Sequence, residues 1–286
     1  MTSNSNLLSP QFWLDLVPDL SLEDDDPVST NIDFDDAAFR SISDHLDGDG
    51  YINLAPVFLE SDLLPIKDAI VTLEKAGLPP VFIYIYDQPW HLFIRLSPLI
   101  AHFLGNDFRL LPNLWAWNIG LTKGAHGWPP HHDCQAATRF DDGTGGKILM
   151  SLSLWVPLSE ATVDNGCMNV IPRQFECFYE EVPDDPDSIS PEHARALPAC
   201  AGSVLGWPQD LVHWGGGVTD QATESRLSLS LEFQNPAFAP LSEPLLDISS
   251  PPPFADRLDL VLAQLEKYQH METVAFDPQV CCSKFS

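Results

Sequence analysis

The chain has 286 residues, 44% of them hydrophobic, and it carries 41 acidic against 14 basic residues, a formal net charge of −27. This length fits one elaborated domain of roughly 200 to 250 residues with flanking helices, and the negative field disfavours nucleic acid and anionic membrane surfaces as partners. No apolar stretch of about 18 residues and no basic leader is visible. The six cysteines form no C-x-x-C pair, which favours a reducing compartment. We therefore expect a cytoplasmic protein that acts on a small molecule.

Residues 1–35 are rich in Ser, Asp, Asn and Pro, which predicts an acidic, partly ordered N-terminal arm. Within the arm, Phe12, Trp13 and Leu16 have helical spacing, so a short amphipathic turn could dock onto the domain or onto a second subunit of a homodimer. An irregular tail is the alternative for the same segment.

The rest of the chain is predicted to be one domain, residues 36–275, with a β-rich core at about 105–240 and a C-terminal tail at 276–286. Apolar spacing predicts helices at 36–46, 61–76 and 254–271. Apolar alternation between turns predicts strands at 51–54, 114–121, 148–156, 168–171, 203–207 and 226–233. Several short strands with few helices between them indicate a mainly β jelly roll flanked by α-helices.

The last predicted strand has two chemically different faces. Leu227, Leu229 and Leu231 alternate with polar residues that include Arg226 and Ser228. The polar face would contact solvent in an ordinary β-sandwich. Alternatively it lines an internal cavity while helices cover the apolar face, and the predicted helices at both ends of the chain favour this second arrangement.

A candidate metal site combines His131 and Asp133 with the distant His213. On a strand, residues i and i+2 share a face, so His131 and Asp133 can present a nitrogen and an oxygen to one ion while His132 points away. A register change of one residue would exchange His131 and His132. Two histidines and one carboxylate with open coordination positions suit a non-haem Fe(II) oxygenase.

Zinc is the alternative metal, because the same three ligands with a water molecule describe a hydrolytic zinc site. Arg226 and Ser228 on one strand face offer a bidentate clamp and a hydroxyl donor for a carboxylate. A hydrolase has no need of such an anchor, so this pair favours an oxygenase with a carboxylate co-substrate.

Around these residues the chain resembles the phytanoyl-CoA dioxygenase-like family of Fe(II)- and 2-oxoglutarate-dependent oxygenases. The matching elements run in the family's order over roughly residues 36–240. They are Asp47-Gly48-Asp49-Gly50-Tyr51, His131-x-Asp133, Ser153-Leu154-Trp155-Val156-Pro157-Leu158, Asn165-Gly166-Cys167, Ile171-Pro172, Ala201-Gly202-Ser203, His213 and Arg226. One departure stands at Pro172-Arg173-Gln174-Phe175, where many members have a Pro-Gly-Ser-His turn.

The resemblance implies a double-stranded β-helix, the jelly roll of the cupins, with iron held by His131, Asp133 and His213 as the catalytic centre. It also implies that 2-oxoglutarate binds the metal and Arg226, and that O2 is consumed while succinate and CO2 are released and a substrate is hydroxylated. Related halogenases lack the carboxylate ligand, so Asp133 argues for hydroxylation or desaturation over halogenation.

The sequence gives only an outline of the substrate. Trp117, Trp128 and Trp214 lie in segments around the proposed ligands and could line a pocket for a small or medium organic molecule, although at least half of the tryptophans near the site are expected to serve core packing. Three alternative functions stay open. The first is a catalytically silent protein that keeps the ligands by descent, and the second is a cupin-like metal-binding protein that uses no 2-oxoglutarate. The third is an interaction protein that works through its acidic N-terminal arm.

Overall fold

The structure is a computed structural model in which residues 6–23, 30–141, 143, 147–179 and 181–268 are described. The α-helices are α1 (Pro10–Leu16), α2 (Asp36–Gly48), α3 (Glu60–Lys75), α4 (Asp87–Arg95), α5 (Ser97–Leu104), α6 (Arg173–Glu176) and α7 (Phe254–Lys267). The strands are β1 (Ile52–Leu54), β2 (Arg109–Ile119), β3 (Arg139–Asp141), β4 (Lys147–Leu149), β5 (Ser151–Pro157), β6 (Met168–Val170), β7 (Arg195–Leu197), β8 (Val204–Trp207), β9 (His213–Gly215) and β10 (Arg226–Gln234). Short 3-10 helices lie at Pro80–Ile85 and Pro186–Ser188.

Two antiparallel sheets carry the fold. The larger has the strand order β1-β8-β5-β10-β2, and the smaller has the order β7-β6-β9. Strands that are distant in sequence are neighbours in both sheets, which is the connectivity expected of a jelly roll. A separate hairpin pairs β3 with β4. The predicted fold, mainly β with flanking α-helices in a cupin-like jelly roll, is therefore confirmed.

Strand β10 separates the hydrophobic core from an internal cavity. On one face, Leu227, Leu229 and Leu231 are buried in a core that also contains apolar side chains of α3, α4 and α7. On the opposite face, Arg226 is 1% exposed and lines the cavity. The arrangement with a cavity on the polar side is therefore correct, because the helices exclude water from the leucine face.

Two of the predicted helices are bounded by the residues that physical chemistry favours at such positions. The side chain of Asp35 accepts a hydrogen bond from the backbone N–H of Ala38 at 2.7 Å and so caps α2. Asp62 accepts one from the backbone N–H of Leu59 at 3.0 Å at the start of α3. Gly77, with φ of +79°, follows the end of α3 in a left-handed conformation that glycine adopts readily.

The N-terminal segment packs onto the domain through α1. Trp13 is fully buried and stacks on Phe82 with ring centroids 5.3 Å apart. The hydroxyl of Tyr86 donates to the backbone carbonyl of Trp13 at 2.9 Å. Docking onto the domain therefore describes this segment, while the acidic run 24–26 and the tail 276–286 lie outside the described residues. The domain boundaries and the homodimer remain predictions.

The segment from Pro80 to Leu104 is more helical than its sequence pattern indicates. It forms a 3-10 helix followed by α4 and α5, and large side chains such as Phe82, Tyr84 and Phe93 are fully buried. α5 is apolar on most sides and so lacks the amphipathic periodicity by which surface helices are recognised, whereas α4 is amphipathic but only nine residues long. Within the described part of the chain, no helix is long and apolar enough to cross a membrane.

Candidate metal centre

Three side chains that the sequence analysis selected meet at one point between the two sheets. One ligand atom from each of His131, Asp133 and His213 lies within 4.8 Å of the others. The Nε2 atoms of His131 and His213 are 3.4 Å and 3.6 Å from Oδ1 of Asp133. Among the described residues this is the one cluster of three or more His, Cys, Asp or Glu side chains with metal-binding spacing.

The backbone brings the two histidines together. His131 forms an isolated β-bridge with His213, and the N–H of each donates to the carbonyl of the other at 3.1 Å and 3.0 Å. The segment that holds Asp133 is a bend rather than a regular strand, so the strand expected at His131 to Asp133 is wrong. Their side chains nevertheless approach each other, because one bridge is enough to orient His131 toward His213.

Hydrogen bonds orient both imidazole rings for a metal. Nδ1 of His131 lies 2.7 Å from the carbonyl oxygen of Pro129, and Nδ1 of His213 lies 3.0 Å from that of Leu211. A carbonyl oxygen only accepts, so Nδ1 of each ring carries a hydrogen, and in the neutral imidazole Nε2 then keeps its lone pair. Burial also lowers the pKa of His213 to about 4, which favours the neutral imidazole that metals bind.

Asp133 is held by its second oxygen. Oδ2 accepts a hydrogen bond from the hydroxyl of Ser153 at 2.7 Å and a longer one from the indole N–H of Trp207 at 3.4 Å. Burial acts to raise the pKa of Asp133, but the charge of His213 and the hydrogen bonds from neighbours outweigh burial and keep that pKa below its ordinary value. Asp133 is therefore an ionised carboxylate whose Oδ1 remains directed at the two imidazoles.

Arg226 lies in the same cavity as a buried cation without a counter-ion. Its guanidinium makes no ion pair with any described residue, and Nε and Nη2 have no hydrogen-bond partner. Nη1 lies 3.5 Å from the hydroxyl of Ser228, and the guanidinium lies 5.5 Å from the ring centroid of Trp155. Burial lowers the pKa of Arg226 to about 10. An unpaired buried charge is unfavourable, so this position is built to receive an anion.

Two glycines allow the backbone to approach this guanidinium. A Cβ atom on Gly127 would lie 3.2 Å from Nη2 of Arg226, and one on Gly215 would lie 3.3 Å from the same atom and 3.1 Å from the Cα of Gly127. Gly215 is the last residue of β9 and closes the cavity beside Arg226.

The cavity has a volume of about 310 Å³, and both large aromatic rings and polar side chains line it. Trp117 and Trp128, which the sequence analysis placed in a substrate pocket, both line it. Trp214 does not, and its assignment to the pocket is corrected: it packs with Ile171 and Val212 in a separate cluster. Neighbouring residues of a strand point to opposite sides, so β9 directs Trp214 away from the cavity that its predecessor lines.

Two features lie beside the site but outside the ligand cluster. They are His132 and the turn Pro172-Arg173-Gln174-Phe175, whose sequence differs from that of many family members. His132 does not join the three ligand atoms, and burial lowers its pKa. In the turn that begins at Pro172, Arg173 forms an ion pair with Asp210. The carboxylate of Asp210 also accepts hydrogen bonds from the backbone N–H and the hydroxyl of Thr138 at 3.1 Å and 2.9 Å. Asp210, which precedes His213, thus connects Arg173 of α6 to the segment that follows Asp133.

The sequence analysis missed several side chains that shape the cavity. Ser153 and Trp207 hold Asp133, and Asn113, Glu232 and Tyr268 line the wall. Strand alternation could have found Glu232, because it shares a face with Arg226 and Ser228. The cross-strand register that brings Ser153 opposite Glu232 has no signal in a single sequence.

Comparison with known proteins agrees with this geometry. A family model described as phytanoyl-CoA dioxygenase (PhyH) matches residues 87–226. No curated protein matches the chain in sequence. A structure of the non-haem monooxygenase ThoJ in complex with nickel is 14% identical, with a TM-score of 0.56 over 82% of this chain and 100% of that chain.

Two further solved structures share the fold. HygX from Streptomyces hygroscopicus, with nickel and 2-oxoglutarate bound, is 15% identical, with a TM-score of 0.52 over 70% of this chain and 88% of that chain. AviO1 from Streptomyces viridochromogenes Tue57 is 17% identical, with a TM-score of 0.52 over 74% of this chain and 99% of that chain. The segment matched by the family model includes His131, Asp133, His213 and Arg226. Over residues 87–226 the chain is therefore similar to the phytanoyl-CoA dioxygenase family, and it shares its fold with these solved structures.

Proposed function

We propose that this protein hydroxylates a small or medium organic substrate, with iron held by His131, Asp133 and His213 and 2-oxoglutarate anchored by Arg226 and Ser228. One observation carries the proposal. A buried guanidinium without an anion lies in the same cavity as a cluster of two imidazoles and one carboxylate. A metal and a dicarboxylate together would satisfy both features.

The donor set fits a divalent metal. Both Nδ1 atoms hydrogen-bond to backbone carbonyls, and Oδ2 of Asp133 hydrogen-bonds to Ser153. The two Nε2 atoms and Oδ1 of Asp133 face one another and are left to bind a metal. Such outer hydrogen bonds fix the tautomer and strengthen ligand basicity. Two nitrogens and one oxygen leave open positions, as an iron oxygenase requires.

Arg226 distinguishes the oxygenase from a hydrolytic zinc enzyme. A guanidinium can bind the far carboxylate of 2-oxoglutarate through two parallel hydrogen bonds, and the Ser228 hydroxyl is placed to add a third. HygX, a protein of the same fold, has been solved with nickel and 2-oxoglutarate bound. The backbone of Gly127 and Gly215 lies close enough to the guanidinium to leave no room for a side chain, and this limits the movement of the guanidinium and lowers the entropic loss on binding.

The side chains of the cavity would position the reaction. When bound, iron and 2-oxoglutarate supply the oxidation: O2 and 2-oxoglutarate are converted to succinate and CO2, and one oxygen atom enters a C–H bond of the substrate. Trp117 and Trp128 would exclude water from that bond and orient it. Asp133 occupies the position that a halide would need, which favours hydroxylation over halogenation.

Turnover of 2-oxoglutarate tests the proposal. The purified protein is incubated with Fe(II), 2-oxoglutarate, 18O2 and pooled metabolite fractions, and succinate and oxidised products are followed by mass spectrometry. We expect iron-dependent succinate with one 18O atom and a product that gains one 18O atom. His131→Ala should abolish both signals, whereas the neighbouring variant His132→Ala should retain them. Metal binding without any succinate would support the silent or 2-oxoglutarate-independent alternatives instead.

A further inference from the structure

Glu232 is a second charged group in the cavity that the proposed function leaves unused. It lies on the same face of β10 as Arg226, six positions later, which corresponds to roughly 20 Å of strand. It pairs across the sheet with Ser153, the residue that holds Asp133. Its oxygens do not belong to the metal-binding cluster of His131, Asp133 and His213. Glu232 therefore lies beside the proposed metal, toward the end of the cavity that Arg226 does not occupy.

The hydrogen bonds of Glu232 leave one oxygen available. The side-chain amides of Asn113, at 2.8 Å, and of Gln209 both donate to Oε2. Oε1 accepts no hydrogen bond from a described residue, and Glu232 forms no ion pair within the described part of the chain. The nearby ammonium of Lys267 donates to Oδ1 of Asn113 at 3.0 Å instead. Two amides thus hold the carboxyl group in place while Oε1 keeps its capacity for a ligand.

Aromatic rings line the same cavity, and the pKa of one of them, Tyr268, is raised by burial and by the charge of Glu232, which lies nearby. Trp115, Trp117, Trp128 and Tyr268 all line it. The ring centroids of Trp115 and Trp128 are 5.4 Å apart, and those of Trp128 and Tyr268 are 4.6 Å apart. The ammonium of Lys267 lies 5.0 Å from the centroid of Tyr268, so one ring of the group already accepts a cation. The faces of such rings attract cations, and trimethylammonium groups in particular.

The charges of the cavity are complementary to a ligand with two parts. Arg226 is a buried cation that lacks an anion, and Glu232 is a carboxyl group that makes no ion pair with any described residue, although the charge of Lys267 acts on it from nearby. Burial, together with the charge of Asp133, raises the pKa of Glu232 to about 8. A ligand cation would relieve this unfavourable environment. The net charge of −27 also attracts cations toward the protein.

We infer that the substrate is an organic ammonium ion whose nitrogen binds between Glu232 and the rings of Trp115, Trp128 and Tyr268. This inference rests on the proposed function, because it takes the Arg226 end for 2-oxoglutarate and leaves the Glu232 end to the substrate. Glu232 is then a specificity-determining residue. A neutral molecule of the same shape gains neither the ion pair nor the cation–π attraction.

Matched pairs of ligands test the inference by binding alone. Choline and its uncharged isostere 3,3-dimethylbutan-1-ol, and benzylammonium and benzyl alcohol, are titrated into protein loaded with Ni(II) and 2-oxoglutarate, above the raised pKa of Glu232. Tryptophan fluorescence and calorimetry report the binding. In at least one pair we expect the cation to bind about tenfold more tightly than its neutral partner, the ratio that corresponds to about 1.4 kcal/mol. Glu232→Gln should remove this preference.

A matched variant and a separate titration make the outcomes distinct. Glu266→Gln removes the same charge from the exposed side of α7 and should leave the preference unchanged. Equal binding of cation and neutral partner in both pairs, or no binding of either member, would overturn the inference. Loss of the preference in both Glu variants would also overturn it, because a long-range field would then explain the result. Failure of Ni(II) and 2-oxoglutarate to bind the wild-type protein would instead count against the proposed function.

Discussion

The backbones of His131 and His213 hydrogen-bond to each other in both directions, at 3.1 Å and 3.0 Å. The two imidazoles consequently lie with ring centroids 4.3 Å apart, although the residues come from distant parts of the sequence. The separation of the proposed ligands is therefore set by main-chain pairing, and Asp133 completes the cluster from the following bend. A site assembled in this way needs little rearrangement to receive a metal, which keeps the entropic loss on binding small.

Ser153→Ala should weaken metal binding without removing a ligand. The Ser153 hydroxyl holds Oδ2 of Asp133 at 2.7 Å, and loss of such an outer hydrogen bond commonly lowers metal affinity by about 10- to 100-fold. Ser151 on the same strand is the control, because it is equally buried and its hydroxyl has no partner. Titration with Fe(II) under anaerobic conditions measures both variants. Equal affinities in Ser153→Ala and Ser151→Ala would show that the hydrogen bond has no effect on the site.

Arg226→Met should stabilise the ligand-free protein while it abolishes the response to 2-oxoglutarate. The substitution removes a buried charge that has no counter-ion, so the Tm without ligands should rise by a few degrees. The increase in Tm that metal and 2-oxoglutarate cause in the wild-type protein should disappear. Arg257 offers a contrast, because it is also buried but pairs with Asp87 at 2.6 Å.

Arg257→Met should therefore lower the free energy of unfolding by about 3–5 kcal/mol, since it leaves the Asp87 carboxylate buried without its cation. Thermal denaturation of the two variants measures the difference. If both substitutions destabilised the protein to the same extent, Arg226 would have a structural role that its surroundings do not indicate.

Gly215→Ala should reduce the affinity for 2-oxoglutarate. The added methyl group would lie 3.1 Å from Gly127 and 3.3 Å from the guanidinium of Arg226, so either the loop or the side chain must move, with a loss of about 1–3 kcal/mol. Gly217 has open space around it, and Gly217→Ala should bind normally. Calorimetric titration of 2-oxoglutarate into the Ni(II)-loaded variants measures the effect. Unchanged affinity in Gly215→Ala would argue against this packing.

Glu232→Gln should change how stability depends on pH in the metal-free protein. Folding raises the pKa of Glu232 from 4.5 to about 8, so the folded state binds this proton more tightly than the unfolded chain does. Stability from this group is present below about 4.5 and is lost as the pH rises toward about 8. Asp133, Lys267 and Tyr268 are the titratable groups that face it. The Tm advantage of the glutamine variant should increase across this window, and a constant advantage would contradict the expected ionisation.

The sequence predicted which residue types form the site better than it predicted how they are arranged in space. The alternation of Leu227 with Arg226 and Ser228 predicted a two-faced strand, and the structure shows a core on one side and a cavity on the other. That alternation is local, so it is visible in a single chain. The contact between Ser153 and Asp133 depends on sheet register and on a bend, both of which arise only when distant segments pack together.

Trp214 is a residue that the sequence analysis placed in the pocket wrongly. Its position next to His213 suggested a pocket wall, but adjacent residues of a strand face opposite sides, and the ring packs with Ile171 and Val212. The buried helices between Pro80 and Leu104 were missed for a related reason. The apolar residues of α5 cover most of its sides, so the periodicity that reveals an amphipathic helix is absent there, and α4 is amphipathic but spans only nine residues.

Anaerobic binding of 2-oxoglutarate to the Fe(II)-loaded protein tests the central claim most directly. Chelation of the metal by the keto acid produces a visible charge-transfer band that neither component shows alone. We expect one equivalent of 2-oxoglutarate to saturate this band in the wild-type protein and in His132→Ala, and we expect no band in His131→Ala or His213→Ala. Absence of the band in a folded wild-type protein that binds Fe(II), or its persistence in the His131 and His213 variants, would contradict the assignment of this site.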